Sequence, residues 1–362
     1  MQVVKDWFRR HFSDPQVVIL ALVLLLGLVV VVFFGTMLAP VFTAIVLAYL
    51  LEGLVVRLER WNVPRWVAVL LVFVTFVAAF LFILLGIVPP LARQVSQLVQ
   101  QLPDWIAQGR ELLLRLPQRY PQVITQQQVD AIINDVGGGI RVLSQAVVTQ
   151  SLSSVGGAIS VLVFIVLVPV LVFFFLKDKD KILAWIDGYL PRDKALVRQV
   201  WHEVDIQIGN YVRGKVVEIL IVGLVTYVVF ALLGLQYAIL LATLVGFSVL
   251  IPYIGAAVVT IPIAMVAFFQ WGWSAELAWV MVGYGIIQAL DGNALVPVLF
   301  SEVVNLHPVA IIVAVLVFGG FWGIWGVFFA IPLATLVNAV LRAWPKQQSP
   351  PAPEPDSVAE DA

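Results

Sequence analysis

The stretch with most chemical promise is Gln288-Ala289-Leu290-Asp291-Gly292-Asn293. Asp291 ends an apolar run, which puts a carboxylate within or beside a bilayer. An ionised group is costly there, and a functional role is the default expectation. Gln288 and Asn293 can each donate and accept hydrogen bonds, which suits a hydroxylated solute. Pro297, Ser301, Glu302, Asn305 and His307 follow. The bland alternative for Asp291 is a solvated residue just past a span end, with a turn at Gly292. His307 stands before Pro308, and proline's fitness for a first helical turn explains that pair better than a proton carrier does.

Other chemistries find no support. The chain has no cysteine, which excludes disulfides, thiolate metal sites, iron–sulfur clusters and a cysteine nucleophile. His11, His202 and His307 lie too far apart to make a metal-ligand spacing. HExxH and GxSxG are absent, and His202-Glu203 lacks a second histidine four residues after the first. No GxxxxGK[ST] phosphate loop occurs, so the chain carries no ATPase of its own. No cofactor is called for, and a net charge of −1 gives no basic face for nucleic acid.

Two interrupted apolar segments flank the polar stretch. Ile239–Leu250 runs into Pro252-Tyr253-Ile254-Gly255 and resumes at Ala256–Phe269. Pro308–Phe318 runs into Gly319-Gly320, Gly323 and Gly326 and resumes at Val327–Leu341. Each half is too short to cross a bilayer alone. Proline removes a backbone donor and glycine loosens the helix. Freed backbone groups cannot face lipid, so they must be buried in protein or line a wet cavity. Paired interruptions of this kind point to a transporter's binding site. Both segments read as re-entrant hairpins, one from each side, with Glu276–Leu290 crossing between them. Kinked full spans are the alternative. The expected binding set is Pro252, Tyr253, Gly255, Gln288, Asp291, Asn293, Asn305, His307, Gly323 and Gly326.

The elements that position these residues are membrane spans. Of 362 residues, 62% are hydrophobic and 12% charged, and mean hydropathy is +1.02. That is more apolar surface than a soluble domain of this size can hide. Crossing a core of roughly 30 Å takes about 20 helical residues. Val17–Phe34, Thr36–Leu51, Trp66–Val88, Val155–Leu176 and Val216–Leu233 meet that test. The first reads as a retained anchor, since it is longer than a signal-peptide core. The fold class is therefore all-α, a polytopic helical membrane protein of about eight segments, two of them broken.

Basic residues cluster at Lys5–Arg10, Arg57–Arg65 and Lys177–Lys215, which orients both termini to the cytoplasm. Trp61, Trp66 and Trp344 suit interfacial anchoring. The chain divides into spans 1–3 (1–88), an extracytoplasmic helical domain (89–154), span 4 (155–176), a cytoplasmic loop with an amphipathic helix (177–215), a transport region (216–342) and a proline-rich, acidic tail expected to be disordered (343–362). Leu91, Val95, Leu98, Leu102 and Trp105 make a heptad seam, read as a helical hairpin packing on itself or else a subunit contact. Val197, Val200, Trp201, Val204, Ile208 and Tyr211 form one stripe, expected on the membrane or on neighbouring spans.

These residues also carry a resemblance. Leu250–Ala256 resembles the PYIG signature of the autoinducer-2 exporter (AI-2E) family, the PerM-type permeases. Asp291–Pro297 with Val304–Pro308 looks like that family's DN…P…LHP block. Gly323–Gly326 with Ile331–Ala334 resembles its GxxG…PLA ending, and Leu176–Lys181 its LKDxDK signature. The likeness runs in span order from about Val17 to Leu341. It departs where Gly292 separates Asp291 from Asn293, and where Ala256 stands in place of a proline. The resemblance implies a bacterial inner-membrane protein and a homo-oligomer, with a pentamer as the candidate number. It implies transport of the quorum-sensing molecule autoinducer-2 in some relatives and sodium–proton exchange in others. The expectation is therefore a secondary transporter of a small polar solute such as autoinducer-2, in the direction of export. A cation–proton antiporter is the alternative, followed by a non-transporting scaffold, and an enzyme is not expected. The expected partners are the solute or ion, membrane lipid and further copies of the chain.

Overall fold

The computed structural model describes residues 37–119, 155–189, 195–252, 254–300 and 307–343, with scattered residues in 27–35 and residue 127. Most of the expected first span and the acidic tail lie outside the described residues, as do Tyr253 and Asn305. Every regular element described is helical. In chain order they are α1 (Ala39–Glu59), α2 (Arg65–Phe82) and α3 (Val88–Arg119), then α4 (Val155–Lys177), α5 (Lys179–Tyr189) and α6 (Ala195–Leu232). There follow α7 (Ala238–Ser248), α8 (Ile254–Trp271), α9 (Ala275–Leu290), α10 (Val296–Phe300), α11 (Pro308–Trp322) and α12 (Ile324–Ala343). Two π-helical turns, Ile83–Ile87 and Asp291–Leu295, join α2 to α3 and α9 to α10 without a break.

Five described helical runs are long and apolar enough to cross a bilayer, and a sixth forms if the bent pair α4–α5 counts as one. The chain is thus an all-α, polytopic membrane protein. Large apolar side chains such as Leu71, Phe82, Leu224 and Ile286 are exposed around the bundle, as contact with lipid requires. Trp61 and Trp66 are exposed at the α1–α2 turn.

The N-terminal helices pack through small and branched residues: Ala44, Ala48, Leu51 and Val55 of α1, Ala68, Val69 and Val72 of α2, and Val168, Val172 and Leu176 of α4. A charge network closes one end of this bundle. Arg65 lies 3.2 Å from Glu52 and 3.3 Å from Glu59, and Lys179 lies 3.0 Å from Glu52. The Leu176–Lys181 motif is the corner itself, where α4 and α5 meet at 77°. Tyr49 then ties α1 to α6, its hydroxyl donating to the Asp205 carboxylate at 2.8 Å. Ile208 and Tyr211 of the amphipathic stripe pack on Val46, Leu50, Phe300 and Ile331, so this part of the stripe faces neighbouring helices. The helix that carries it runs unbroken from Ala195 through Leu232.

Both interrupted segments fold back on themselves rather than kink. At the open end of α7–α8, the Gln236 N–H donates to Gln270 Oε1 at 2.8 Å, and Gln270 Nε2 donates to the Gly234 carbonyl at 2.8 Å. At the tip, Gly255 lies against the Ser248 carbonyl so closely that any Cβ would occupy the same space. Partners at both ends of the pair are those of an antiparallel hairpin. The second hairpin turns at Gly323, whose φ of 58° favours glycine. Gly326 then meets the Phe318 carbonyl with no room for a side chain.

The heptad seam of α3 has a partner other than the two expected. Leu91, Val95, Leu98 and Leu102 pack on the α7–α8 core, and Trp105 stacks on Phe269 with ring centroids 5.0 Å apart. Gln94 Oε1 also accepts from the Leu240 N–H at 2.9 Å, satisfying a donor in the first turn of α7. A seam specifies an apolar partner but not which one, and here hairpin α7–α8 supplies it. Pro103 does not interrupt α3.

Candidate functional site

The tip of hairpin α7–α8 meets α6 at a lysine. α7 packs closely on α6, with Gly246 against Gly223 and the Ile219 carbonyl. This contact brings Val249, just past the end of α7, beside Lys215. The Lys215 ammonium donates to the freed Val249 carbonyl at 2.9 Å. The same nitrogen sits 2.7 Å from Glu218 Oε2, one turn along α6, and 5.0 Å above the centre of the Phe300 ring. Lys215 is 5% exposed and Glu218 is 1% exposed. The Lys215–Glu218 contact is a buried ion pair.

α9 brings the polar stretch to the same place. The Tyr284 hydroxyl donates to the Ala256 carbonyl at 2.8 Å, which seats α9 on the first turn of α8. Gln288 and Asp291 lie four and seven residues further on, the spacing of one helix face. Asp291 is within electrostatic reach of both Lys215 and Glu218. The chain is in a π-helical turn from Asp291 to Leu295, so Gly292 makes no chain turn. Such bulges are frequent where a helix must redirect a functional side chain. The second hairpin forms the far wall. Ile331 packs with Tyr211 and Phe300, and Ile251 from the first hairpin's tip packs on Ala314, Val315 and Ala330.

Several polar atoms here are buried without hydrogen-bond partners: Asp291 Oδ1, Gln288 Nε2 and the Tyr211 hydroxyl. Buried polar groups are nearly always satisfied, so these atoms on neighbouring elements are open to a water or a polar solute. Among the described residues, no group of His, Asp and Glu could hold a metal ion by its own ligand set.

The sequence-predicted residues divide. Pro252 and Gly255 form the tip of the first hairpin, and Gln288 and Asp291 lie on the face that Tyr284 seats against the first turn of α8, with Asp291 in electrostatic reach of Lys215 and Glu218. Asn293 is exposed and spends its amide on the Ala289 carbonyl of its own helix at 2.8 Å. His307 is exposed and caps α11, its Nδ1 accepting from the Val309 N–H at 3.2 Å. Gly323 and Gly326 shape the second hairpin's turn. Lys215 and Glu218 escape the sequence reading as site residues, which counts Lys215 among loop cations, and Tyr211 enters it only as part of the amphipathic stripe. The available signal is Glu218 inside the apolar Val216–Leu233 run, with an opposite charge three residues before it.

Residues 19–346 match the family described as AI-2E family transporter. The chain is 47% identical over 348 residues to an Escherichia coli K12 protein named as permease PerM, covering 96% of this chain and 99% of that one. It is 29% identical to the Bacillus subtilis protein named as transport protein YueF, covering 91% and 92%. It is 25% identical to the E. coli K12 protein named AI-2 transport protein TqsA, covering 89% and 92%. The chain belongs to the AI-2E family of transporters.

Proposed function

We propose that this protein is a secondary transporter that exports a small polar solute, such as autoinducer-2, through a chamber at the tip of hairpin α7–α8. The observation that carries the reading is the burial of Lys215 and Glu218 where both broken segments meet, with Asp291 half-buried and its Oδ1 shielded and unpartnered. Charges in a membrane interior are expensive and mark solute or ion pathways. The backbone broken at Val249–Pro252 and the polar edges of Gln288 and Asp291 give a solute directed hydrogen bonds. The hairpins enter from opposite sides, and access alternates as they move against α6. The relative named for autoinducer-2 transport supports the choice of cargo class. The protein sits in the bacterial inner membrane with both termini cytoplasmic, as a homo-oligomer, and carries out no covalent chemistry.

A second reading, cation–proton antiport, is favoured by one observation: the cluster has two carboxylates but one ammonium. Both readings are tested in proteoliposomes. Candidate solutes are supplied with and without a pH or sodium gradient, and Asp291→Asn is compared with the parent. Solute flux lost in the variant supports the first reading. Dye-detected proton movement driven by sodium alone supports the second. Full gradient-driven activity in Asp291→Asn removes Asp291 from the mechanism.

A further inference from the structure

At the end of the N-terminal bundle closed by the charge network, α2 and α4 frame a groove. Arg65, Trp66, Val69 and Leu70 of α2 and Phe173 and Lys177 of α4 line a space of about 520 Å³, within the range of small-ligand sites. Arg65 opens α2 and Lys177 closes α4, so both cations stand at the same end of the groove. Val69, Leu70 and Phe173 lie one helical turn inward, about 6 Å along each axis. The groove is therefore cationic at its mouth and apolar below. Phe73 and Phe173, with ring centroids 5.0 Å apart, hold the two helices together beside it.

The corner between α4 and α5 sets the depth of that mouth. α5 leaves the membrane-spanning α4 at 77°, a direction close to the membrane plane. It exposes Leu183, Trp185 and Ile186, an apolar surface suited to the boundary between headgroups and acyl chains. Trp61 and Trp66 are exposed at the α1–α2 turn, and tryptophans collect at the membrane–water interface. Glu52 joins turn and corner, since it pairs with both Arg65 and Lys179. Arg65 and Lys177 thus stand at headgroup depth, and the apolar lining stands at the depth of the chains.

The cations at this end differ in availability. Arg65 is held by Glu52 and Glu59, with Asp180 4.0 Å away, and donates to the Leu176 carbonyl at 3.4 Å. Lys179 is taken by Glu52, and Lys181 by Asp178 at 3.0 Å. Lys177 differs from its neighbours. Among the described residues it has no carboxylate partner, and its ammonium stands 5.7 Å from the centre of the Phe173 ring. An uncommitted cation above an apolar groove complements a phosphate above acyl chains. A soluble anion would match the charge and leave the apolar lining unused.

We propose that the groove between α2 and α4 is a binding site for one anionic phospholipid, its phosphate on Lys177 and its acyl chains along Val69, Leu70 and Phe173. Arg65 adds positive potential at the mouth while its carboxylate partners fix it in place. Basic pockets between membrane helices recognise acidic headgroups in this way. Neither groove helix belongs to the chamber at the tip of α7–α8, so the site stands or falls independently of the transporter reading.

The experiment is native mass spectrometry of the delipidated full-length protein in detergent. It is titrated with phosphatidylglycerol or with phosphatidylcholine of the same chains. The parent should bind its first phosphatidylglycerol more tightly than its first phosphatidylcholine. Lys177→Gln should weaken phosphatidylglycerol about fivefold, the loss expected for one basic side chain at a lipid surface, and leave phosphatidylcholine unchanged. Leu70→Trp keeps every charge but fills the groove, and should weaken both lipids. Lys181→Gln removes a cation of the same corner that does not line the groove, and should change neither. Lys177, Leu70 and Lys181 are exposed, so their replacements spare the packed core; Arg65 is left in place because it knits the bundle. The proposal is overturned if the parent binds the two lipids alike. It is equally overturned if Lys181→Gln weakens phosphatidylglycerol as much as Lys177→Gln, which would mean diffuse attraction, or if Leu70→Trp has no effect. Loss of a subunit in place of a lipid on Leu70→Trp would assign the groove to a second copy of the chain and also overturn it.

Discussion

Replacing Gly255 by alanine should open the tip of hairpin α7–α8. A Cβ on Gly255 would fall inside the Ser248 carbonyl, 2.7 Å from its carbon and 3.1 Å from the Ser248 Cα. Carbon atoms in contact prefer about 3.5–4.0 Å, so the backbones must part by roughly 1 Å. The obstacle is main chain on both sides, and no side chain can rotate away. Overpacking costs about 1–3 kcal/mol where neighbours yield, and a rigid site belongs at the upper end. Separation also strains the Gly255 N–H bond to the Ile251 carbonyl, now 2.9 Å, worth about 1 kcal/mol. Alanine's better helix propensity returns up to about 1 kcal/mol. The net loss is about 3 kcal/mol, roughly a hundredfold in the folding equilibrium. The assay is denaturation of the purified protein followed by tryptophan fluorescence, with Gly285→Ala as control. Gly285 lies within α9 and has nothing within 4 Å of its would-be Cβ, so the control should match the parent or exceed it. If the two variants unfold together, the close approach at the tip is wrong. If Gly255→Ala is the less stable, it should also lose solute flux, because the Val249 carbonyl moves off Lys215.

Two further perturbations test the elements around the site. In this cysteine-free chain, Gln236→Cys with Gln270→Cys should form a disulfide on mild oxidation, seen by mass spectrometry of the cleaved protein. In a straight or gently kinked helix these positions would be about 50 Å apart, so failure to cross-link would refute the hairpin. Trp105→Ala removes a buried ring stacked on Phe269 and should cost about 3–5 kcal/mol, freeing α3 to proteases. Unchanged protection of α3 would place its seam against some other surface.

The path from sequence to site was uneven for identifiable reasons. Asp291 was legible because one carboxylate in an apolar run is anomalous by itself. Glu218 is as anomalous, yet the basic loop just before it drew Lys215 into a count of cytoplasmic charges. Gly292 looked like a turn because glycine usually loosens a chain. Here the helix continues through it as a π turn, with Leu290 and Val296 helical on either side. Asn293 reads in the sequence as a hydrogen-bonding group for the solute, but it spends its amide on its own helix, since a π turn changes which residues share a face. His307 was explained by its neighbour Pro308, a local effect that needs no tertiary information.

Composition and spacing alone determined that the chain is helical and membrane-embedded, and that its backbone is interrupted twice in the last third. Those properties follow from transfer free energy and backbone chemistry, which act within each segment. Tertiary structure alone decided that the interruptions close into hairpins, that the α3 seam docks on the first of them, and that Lys215 reaches the carbonyl at its tip. Such contacts join residues 34 to 146 positions apart. No local propensity encodes them, because an apolar stripe or a freed carbonyl states only that it needs a partner.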